Sequence, residues 1–426
     1  MVSEMVSDMR AEDLSGLPAR LQAVRARSVA LAEPLSAEDM AVQTMADVSP
    51  TKWHLAHTSW FWETFLLQPH LPGYEVFDPR FNYLFNSYYE AVGQRQPRAR
   101  RGEISRPGID HVLAYRAHVD AACKRLLTNP DAGQIAAIAD VLRLGFAHEE
   151  QHQELILTDI KHVLSVNPFG ERYSDAAPPA RAPEAVMEWR SFDGGPAEFG
   201  HDGAGFAFDN EGPRHTAWLA PFAIASRPVT NSEYAAFIAD GGYRTASLWL
   251  SEGWGRVQEE GRTQPFYWRG GPGEWREFTL HGEREIDPDA PVSHLDYFEA
   301  SAFAEWTGFR LPEEREWELA ARASDPAAGR WADPEGYLHP APGDGAGWYG
   351  GVWEWTRSAY SAYPGYRAGK GAIGEYNGKF MCGQFVLKGG SVFTPPDHVR
   401  ASYRNFFPPD AQWQMTGLRL ARDLPS

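Results

Sequence analysis

The sequence carries two histidines at a spacing that suits metal binding, His148 and His152 in the segment HEEQH. Residues four apart on an α-helix lie one above the other, so both imidazoles can reach one ion. The two belong to an otherwise apolar stripe that contains Ile138, Val141, Gly145 and Leu155. Burial of imidazoles there without hydrogen-bond partners would cost roughly a few kcal/mol, a cost that metal ligation removes. The spacing therefore predicts a metal site, and two surface histidines on a glutamate-rich helix are the alternative.

A third ligand should come from another helix, because a catalytic metal usually has three protein ligands and open positions. The segment SPTKWHLAH, residues 49–57, begins with Ser49 as a candidate N-cap and proline at the first helical position. It contains His54 and His57, which are three residues apart, and helical spacing leaves both as candidates.

The segment from His148 to His152 also matches the HExxH signature of zinc hydrolases, in which Glu149 would act as the general base. Two features disfavour this interpretation. No recognisable third-ligand motif follows the helix, and the motif-rich second half of the chain would have no role.

Four segments with an apolar stripe of helical period predict a bundle that would position these histidines. They cover residues 14–33, 52–67, 111–127 and 133–164. A stretch rich in proline and alanine predicts a linker over 175–185, between a bundle domain over 12–174 and a second domain over 186–426. The second domain alternates β-like runs, at 217–225 and 385–393, with helical pieces at 231–241 and 297–308. We therefore expect an α+β multidomain protein.

The composition favours small-molecule chemistry. The chain has 426 residues and a formal net charge of −17, which disfavours nucleic acid or an anionic membrane as the main partner. Its N-terminal segment lacks the pattern of a signal peptide, and no apolar run reaches the length of a membrane span. Two cysteines, Cys123 and Cys382, are too few for a disulfide framework. We expect a cytoplasmic protein with reduced thiols.

Motifs in both halves resemble those of one enzyme family. SPTKWHLAHTSWFWETF and HEEQHQELILTDIKH resemble a DinB-type helical bundle. RPVTNSEYAAFI, RLPEEREWELAAR, GGVWEWT, LKGGSVF and GLRLARD resemble a formylglycine-generating-enzyme (sulfatase-modifying) type domain, a C-type-lectin-like α+β fold. In this order they resemble the ergothioneine-biosynthesis sulfoxide synthases (EgtB), which are non-haem iron enzymes. Helix 310–322 and the segment with Trp353 and Trp355 are interpreted as structural.

The resemblance implies a ligand set and a reaction. It makes His57, rather than His54, the first ligand of Fe(2+), beside His148 and His152. The family joins the sulfur of a thiol to the imidazole C2 of hercynine (Nα-trimethylhistidine), with O2 as co-substrate; cysteine is the favoured thiol and γ-glutamylcysteine a possible one. Carbon–sulfur coupling and sulfur oxidation release four electrons, which O2 accepts. No nicotinamide or flavin is then required, and the sequence has no dinucleotide or Walker motif.

The resemblance also implies substrate-handling residues in the first half. Tyr88 and Tyr89 match paired tyrosines, of which one phenol near the iron assists proton or electron transfer; packing is the alternative role. Adjacent positions on regular structure point different ways, so only one of them should face the iron. Arg98 and Arg101 are expected to bind the carboxylate of the thiol, because guanidinium forks suit carboxylates. Solvated surface arginines are the alternative.

Further substrate contacts are expected on either side of the linker. Gln151 should face the metal cavity and hydrogen-bond the hercynine imidazole. Asn405, Phe406 and Phe407 lie in a segment that resembles the loop closing over the trimethylammonium group, which aromatic faces and oxygen atoms can hold. Other branches carry an acidic residue in place of Phe407, which disfavours a peptide-like thiol. A selenoneine synthase and a non-catalytic DinB-type metal-binding protein remain alternatives.

Overall fold

A computed structural model describes residues 16–128, 130–179, 186–332, 336–343, 347–369 and 372–425. The chain forms two compact units, Met1–Val166 and Asn167–Ser426. Residues 12–15 of the predicted bundle domain and 180–185 of the predicted linker lie outside the described residues. The predicted domain limits stay a prediction.

The first unit is helical, as its apolar stripes predicted. Its α-helices are α1 Leu17–Ala30, α2 Thr51–Phe61, α3 Gln68–His70, α4 Phe81–Phe85, α5 Ile109–Leu126 and α6 Ala132–Ser165. The four predicted segments overlap α1, α2, α5 and α6, with limits that differ by a few residues. Helix α2 packs against α5 and α6, and α1 packs against α6.

Helix α2 differs from prediction at its first residue. Its N-cap is Pro50, without a side-chain cap, so the predicted N-cap role of Ser49 is wrong. Ser49 is held by other elements: its hydroxyl accepts a hydrogen bond from Arg101, and its backbone N–H donates to Asp159. At its other end α2 continues into a π-helical turn, Trp62–Leu67. Such turns often occur beside functional sites.

Helix α6 is 34 residues long and begins with a capping box between Asp131 and Gln134. Gly145 on this helix admits the Trp62 ring, since a Cβ there would lie 2.4 Å from a ring atom. Farther along, Glu149, Glu150 and Glu154 are 0%, 7% and 8% exposed. The alternative of a surface helix is therefore wrong.

The second unit is an α+β structure with many loops, as predicted. Its strands are β1 Trp189–Phe192, β2 Gly195–Phe199, β3 His215–Leu219, β4 Phe222–Ala225, β5 Trp268–Arg269, β6 Arg276–Thr279, β7 Gly282–Glu285, β8 Trp353–Ala359, β9 Phe385–Lys388, β10 Asn405–Phe407, β11 Thr416–Leu418 and β12 Ala421–Asp423. They form sheets with the strand orders β1-β4-β12, β10-β9-β8-β11, β2-β3 and β5-β6-β7, and among the described strands only β8 and β11 pair in parallel. The helices are α7 Asn231–Ala239, α8 Ser251–Glu260, α9 Tyr297–Trp306 and α10 Glu314–Ala321.

Two predicted strands of this unit are shorter than their apolar runs. The run 217–225 is divided by Pro221, which cannot donate to a ladder, into β3 and β4. The run 385–393 ends as β9 at Lys388, because Gly389 and Gly390 follow with φ of +99° and +84°. Trp353 and Trp355 on β8 are buried, as their structural interpretation requires. In the described ranges, no helix combines the length and apolar character that a bilayer crossing needs.

Candidate metal centre

Three histidines from two helices of the first unit meet at one point. His57 on α2 and His148 and His152 on α6 each offer one ligand atom, and these atoms all lie within 4.8 Å of one another. The Nε2 atoms of His57 and His148 are 3.1 Å apart. Two nitrogen ligands about 2.1 Å from one ion, at a right angle, are about 3.0 Å apart, so this distance fits ligation of a single ion.

The ring of His57 is held in one tautomer and one orientation. Its Nδ1 is 2.6 Å from the carbonyl oxygen of Phe85. A carbonyl only accepts, so Nδ1 carries the proton and Nε2 presents its lone pair to the site. The ring stacks between Trp53 and Trp60, with centroid distances of 4.6 Å and 5.5 Å.

His54, the competing candidate on α2, uses both ring nitrogens elsewhere. Its Nε2 lies 3.0 Å from Oδ2 of Asp159, and its Nδ1 lies 2.8 Å from Nδ1 of His152. The metal-competent group accordingly contains His57 and not His54. This geometry favours the ligand choice that the family resemblance implied.

Burial keeps the three clustered imidazoles neutral. Desolvation lowers the pKa of His148 to about 3. Desolvation, followed by the neighbouring His148, also holds the pKa values of His57 and His152 well below the ordinary value. Neutral imidazole is the form that ligates metals, so the site needs no proton release to bind an ion near pH 7.

Glu149 is a structural carboxylate rather than a base. One of its oxygens accepts from Ser28 at 2.8 Å and Arg116 at 2.9 Å, and the other accepts from Trp62 at 2.8 Å and Arg25 at 3.2 Å. Burial alone would raise the pKa of Glu149, but the two guanidinium groups outweigh it and hold the value at about 2. Four donors occupy both oxygens, which argues against the zinc-hydrolase interpretation.

The predicted catalytic tyrosines lie side by side. The rings of Tyr88 and Tyr89 stack with centroids 4.7 Å apart, so the expectation that they point different ways is wrong. That expectation assumed regular structure, whereas residues 86–89 belong to no helix or strand. Tyr89 is fully buried and packs against Trp60 and Phe61. These two rings contact His57 and His148 in turn.

The two predicted carboxylate-binding arginines have different environments. Arg98 is exposed and donates to the backbone carbonyl of Asp47. Arg101 is 4% exposed, and its guanidinium carbon lies 3.3 Å from the ring centroid of Trp53. It donates to the hydroxyls of Ser49 and Ser87 at 2.9 Å and 3.1 Å. Within the described ranges no carboxylate forms an ion pair with Arg101.

Gln151 and the aromatic segment of the second unit stay predictions as substrate contacts. Gln151 is half-buried on α6. Asn405, Phe406 and Phe407 form strand β10, which pairs with β9, so their predicted loop conformation is wrong. Phe406 stacks on Tyr360 with centroids 4.0 Å apart, and Phe407 contacts Trp413 edge-on. At least Phe406 therefore has a packing role.

His54 and Asp159 have roles at this site that the sequence motifs do not indicate. His54 contacts the ligand His152, and Asp159 contacts His54. A signal for Asp159 was present, because it follows His152 by seven residues and so lies on the same helical face. The Phe85 carbonyl gives no such signal, since any residue can supply a backbone oxygen.

Comparison with known proteins agrees with this two-part organisation. Residues 20–156 match the DinB superfamily, and residues 175–342 and 328–424 match the sulfatase-modifying factor enzyme 1-like domain. The formylglycine-generating enzyme of Thermomonospora curvata is 29% identical and covers 58% of this chain and 97% of its own.

Two relatives match both parts together. The hercynine oxygenase of Mycobacterium tuberculosis is 33% identical over 96% of this chain and 99% of its own length. That of Mycolicibacterium thermoresistibile is 34% identical and covers 88% of each chain. Because this similarity extends along almost the whole of both chains, the protein belongs to the hercynine oxygenases, the oxidoreductase family that its motifs resemble.

Proposed function

We propose that the protein is an iron(II)- and O2-dependent sulfoxide synthase of ergothioneine biosynthesis, which joins the sulfur of cysteine to C2 of hercynine. The observation that carries the proposal is the meeting of three buried, neutral imidazoles, His57, His148 and His152, within 4.8 Å. Three nitrogen ligands leave positions at which substrates can bind together, so that coupling becomes intramolecular. Iron(II) held by these residues would supply the redox chemistry with O2.

Arg101 supports a substrate that carries a carboxylate. Burial lowers the pKa of Arg101 well below its ordinary value, yet a guanidinium stays protonated, so it is a desolvated cation. Serine hydroxyls and an aromatic face satisfy it only in part. A bound carboxylate would restore the missing counter-charge, and cysteine offers one.

Replacement of Arg101 with lysine should selectively weaken the binding of the thiol substrate. Lysine keeps the positive charge but cannot make the bidentate contact of a guanidinium. The loss of one charge-assisted hydrogen bond costs about 1.5–3 kcal/mol, which corresponds to a rise of about 10- to 150-fold in the KM for cysteine. The KM for hercynine should change little. Arg100→Lys, at an exposed arginine that pairs with Glu103, is the matched control and should behave like the wild type. An equal loss for both substrates from Arg101→Lys would show a structural role instead.

We propose that the hydroxyl of Tyr88 or Tyr89 determines whether the thiol is coupled to hercynine or is only oxidised at sulfur. Coupling requires a proton delivered to the reacting oxygen, and oxidation of the sulfur alone competes. Phenylalanine keeps the ring packing and removes the hydroxyl. We expect one of Tyr88→Phe and Tyr89→Phe to retain iron and both substrates while shifting product from sulfoxide to cysteine sulfinate. Product ratios that stay constant in both single variants and in the double variant would refute the assignment.

The reaction itself is tested by product mass. The iron(II)-loaded protein is mixed anaerobically with hercynine and cysteine, and O2 is then admitted. The expected product contains both substrates, minus two hydrogens and plus one oxygen, and the second oxygen atom leaves as water. Isotopically labelled O2 should place its label in the sulfoxide. Parallel reactions in which γ-glutamylcysteine or a selenium donor replaces cysteine show which donor the protein uses. Absence of any coupled product from all three donors would overturn the proposal.

A further inference from the structure

We infer that His54 and Asp159 are positioning residues, which fix the tautomer of His152 so that its Nε2 is free to bind the metal. The inference rests on the proposed metal site and goes beyond its ligand set. It follows from a continuous row of hydrogen bonds from Asp159 through His54 to His152, all buried.

The row of hydrogen bonds begins at the carboxylate of Asp159, which is an acceptor. Oδ2 of Asp159 receives the backbone N–H of Ser49 at 2.7 Å and lies 3.0 Å from Nε2 of His54. This oxygen already accepts from Ser49 and acts as an acceptor here too, so the proton of the contact is on Nε2 of His54. The other ring nitrogen, Nδ1, then offers its lone pair in the tautomer that buries no additional charge.

The next contact transmits this choice to the ligand. Nδ1 of His54 and Nδ1 of His152 are 2.8 Å apart, a distance at which one nitrogen must donate and the other accept. Since His54 accepts, Nδ1 of His152 carries the proton and its Nε2 keeps the lone pair. The opposite tautomer would place a hydrogen on Nε2 and block ligation.

The row uses residues that the helices bring together. His54 lies three residues before His57 on α2, so one helix supplies both a ligand and the partner of a ligand on α6. Asp159 lies seven residues after His152 on α6, two turns along the same face. His57 achieves the same orientation with a backbone carbonyl, whereas His152 depends on two side chains that substitution can alter.

The first test is binding of Co(II) to the full chain, titrated against a chromophoric chelator. His54→Leu fills a similar volume without an acceptor, and we expect it to raise the Kd about 10- to 100-fold. His54→Asn retains an acceptor, because its Oδ1 stands near the position of Nδ1, and should remain close to the wild type. His118→Leu, at a histidine of α5 whose ring contacts the Glu75 carbonyl, is the histidine control and should bind Co(II) like the wild type. Equal weakening by Leu and Asn, with equally lowered Tm, would overturn the inference.

A second readout separates positioning from general loosening. In the Co(II) protein, the ring N–H protons of the ligands give shifted NMR signals that exchange with solvent. We expect the His152 signal alone to move and exchange faster in His54→Leu, and to return in His54→Asn. Wild-type Co(II) affinity and unchanged signals in His54→Leu would refute the role of His54 and leave the metal site standing. Failure of the wild type to bind Co(II) would instead overturn the metal site and this inference with it.

Discussion

Replacement of His57, His148 or His152 with alanine is expected to remove bound iron and to abolish coupling. Each substitution leaves only two nitrogen ligands at a site that is otherwise lined largely by aromatic rings. Among the described residues, the group of possible metal ligands contains no carboxylate or thiol that could replace the missing imidazole. The loss should exceed the 10- to 100-fold typical of residues that only orient a ligand. Iron per chain, measured after anaerobic reconstitution and desalting, checks this expectation.

Two further alanine variants calibrate the result. His118→Ala alters a histidine of α5 whose ring contacts the Glu75 carbonyl, and it should bind iron like the wild type. His54→Ala should weaken binding without abolishing it, because His54 orients a ligand and does not contribute one. Loss of iron in His54→Ala together with retention in His57→Ala would show that the ligand choice is wrong.

Part of the histidine cluster could be predicted from the sequence, because helical periodicity is a local property of the chain. The spacing of His148 and His152 fixed their common face, and a second helix had to supply the third ligand. Spacing could not separate His54 from His57, since both lie on nearly the same face of α2. The distinction depends on tertiary contacts: a carbonyl from the end of α4 reaches His57, while Asp159 of α6 reaches His54.

The errors have physical causes of the same kind. Ser49 has the chemistry of an N-cap, but its hydroxyl and its N–H have partners in other elements. Opposite directions for Tyr88 and Tyr89 require a regular backbone, and the backbone of this segment is irregular. Glu149 has the position of a hydrolase base, yet its function is decided by Arg25 and Arg116, which come from two other helices. An arginine within an apolar stripe, as at both positions, is a signal that a buried acidic partner exists.

Glu149→Ala is expected to have the largest effect on stability. The carboxylate is fully buried and joins α1, α5 and the π-helical turn to α6 through Arg25, Arg116 and Trp62. Its removal leaves the buried guanidinium of Arg116 without a counter-charge and leaves Arg25 with Asp120 as its acidic partner; breaking a buried pair in this way typically costs about 3–5 kcal/mol. The free energy of unfolding of the metal-free protein, from denaturant titration followed by tryptophan fluorescence, measures the loss. Glu103→Ala removes an exposed partner of Arg100 and should leave that free energy almost unchanged.

The pH dependence of the unfolding free energy that is lost when Glu149 is replaced shows whether the charge of Glu149 is the cause of that loss. The folded protein holds the pKa of Glu149 at about 2, below the ordinary value of 4.5. A depressed pKa stabilises the folded state fully above about pH 4.5, and this contribution is lost as pH falls toward about 2. The unfolding free energies of wild type and Glu149→Gln should therefore differ at neutral pH and converge between pH 4.5 and 2. Parallel curves across this range would show that Glu149 stabilises the bundle through packing and not through its charge.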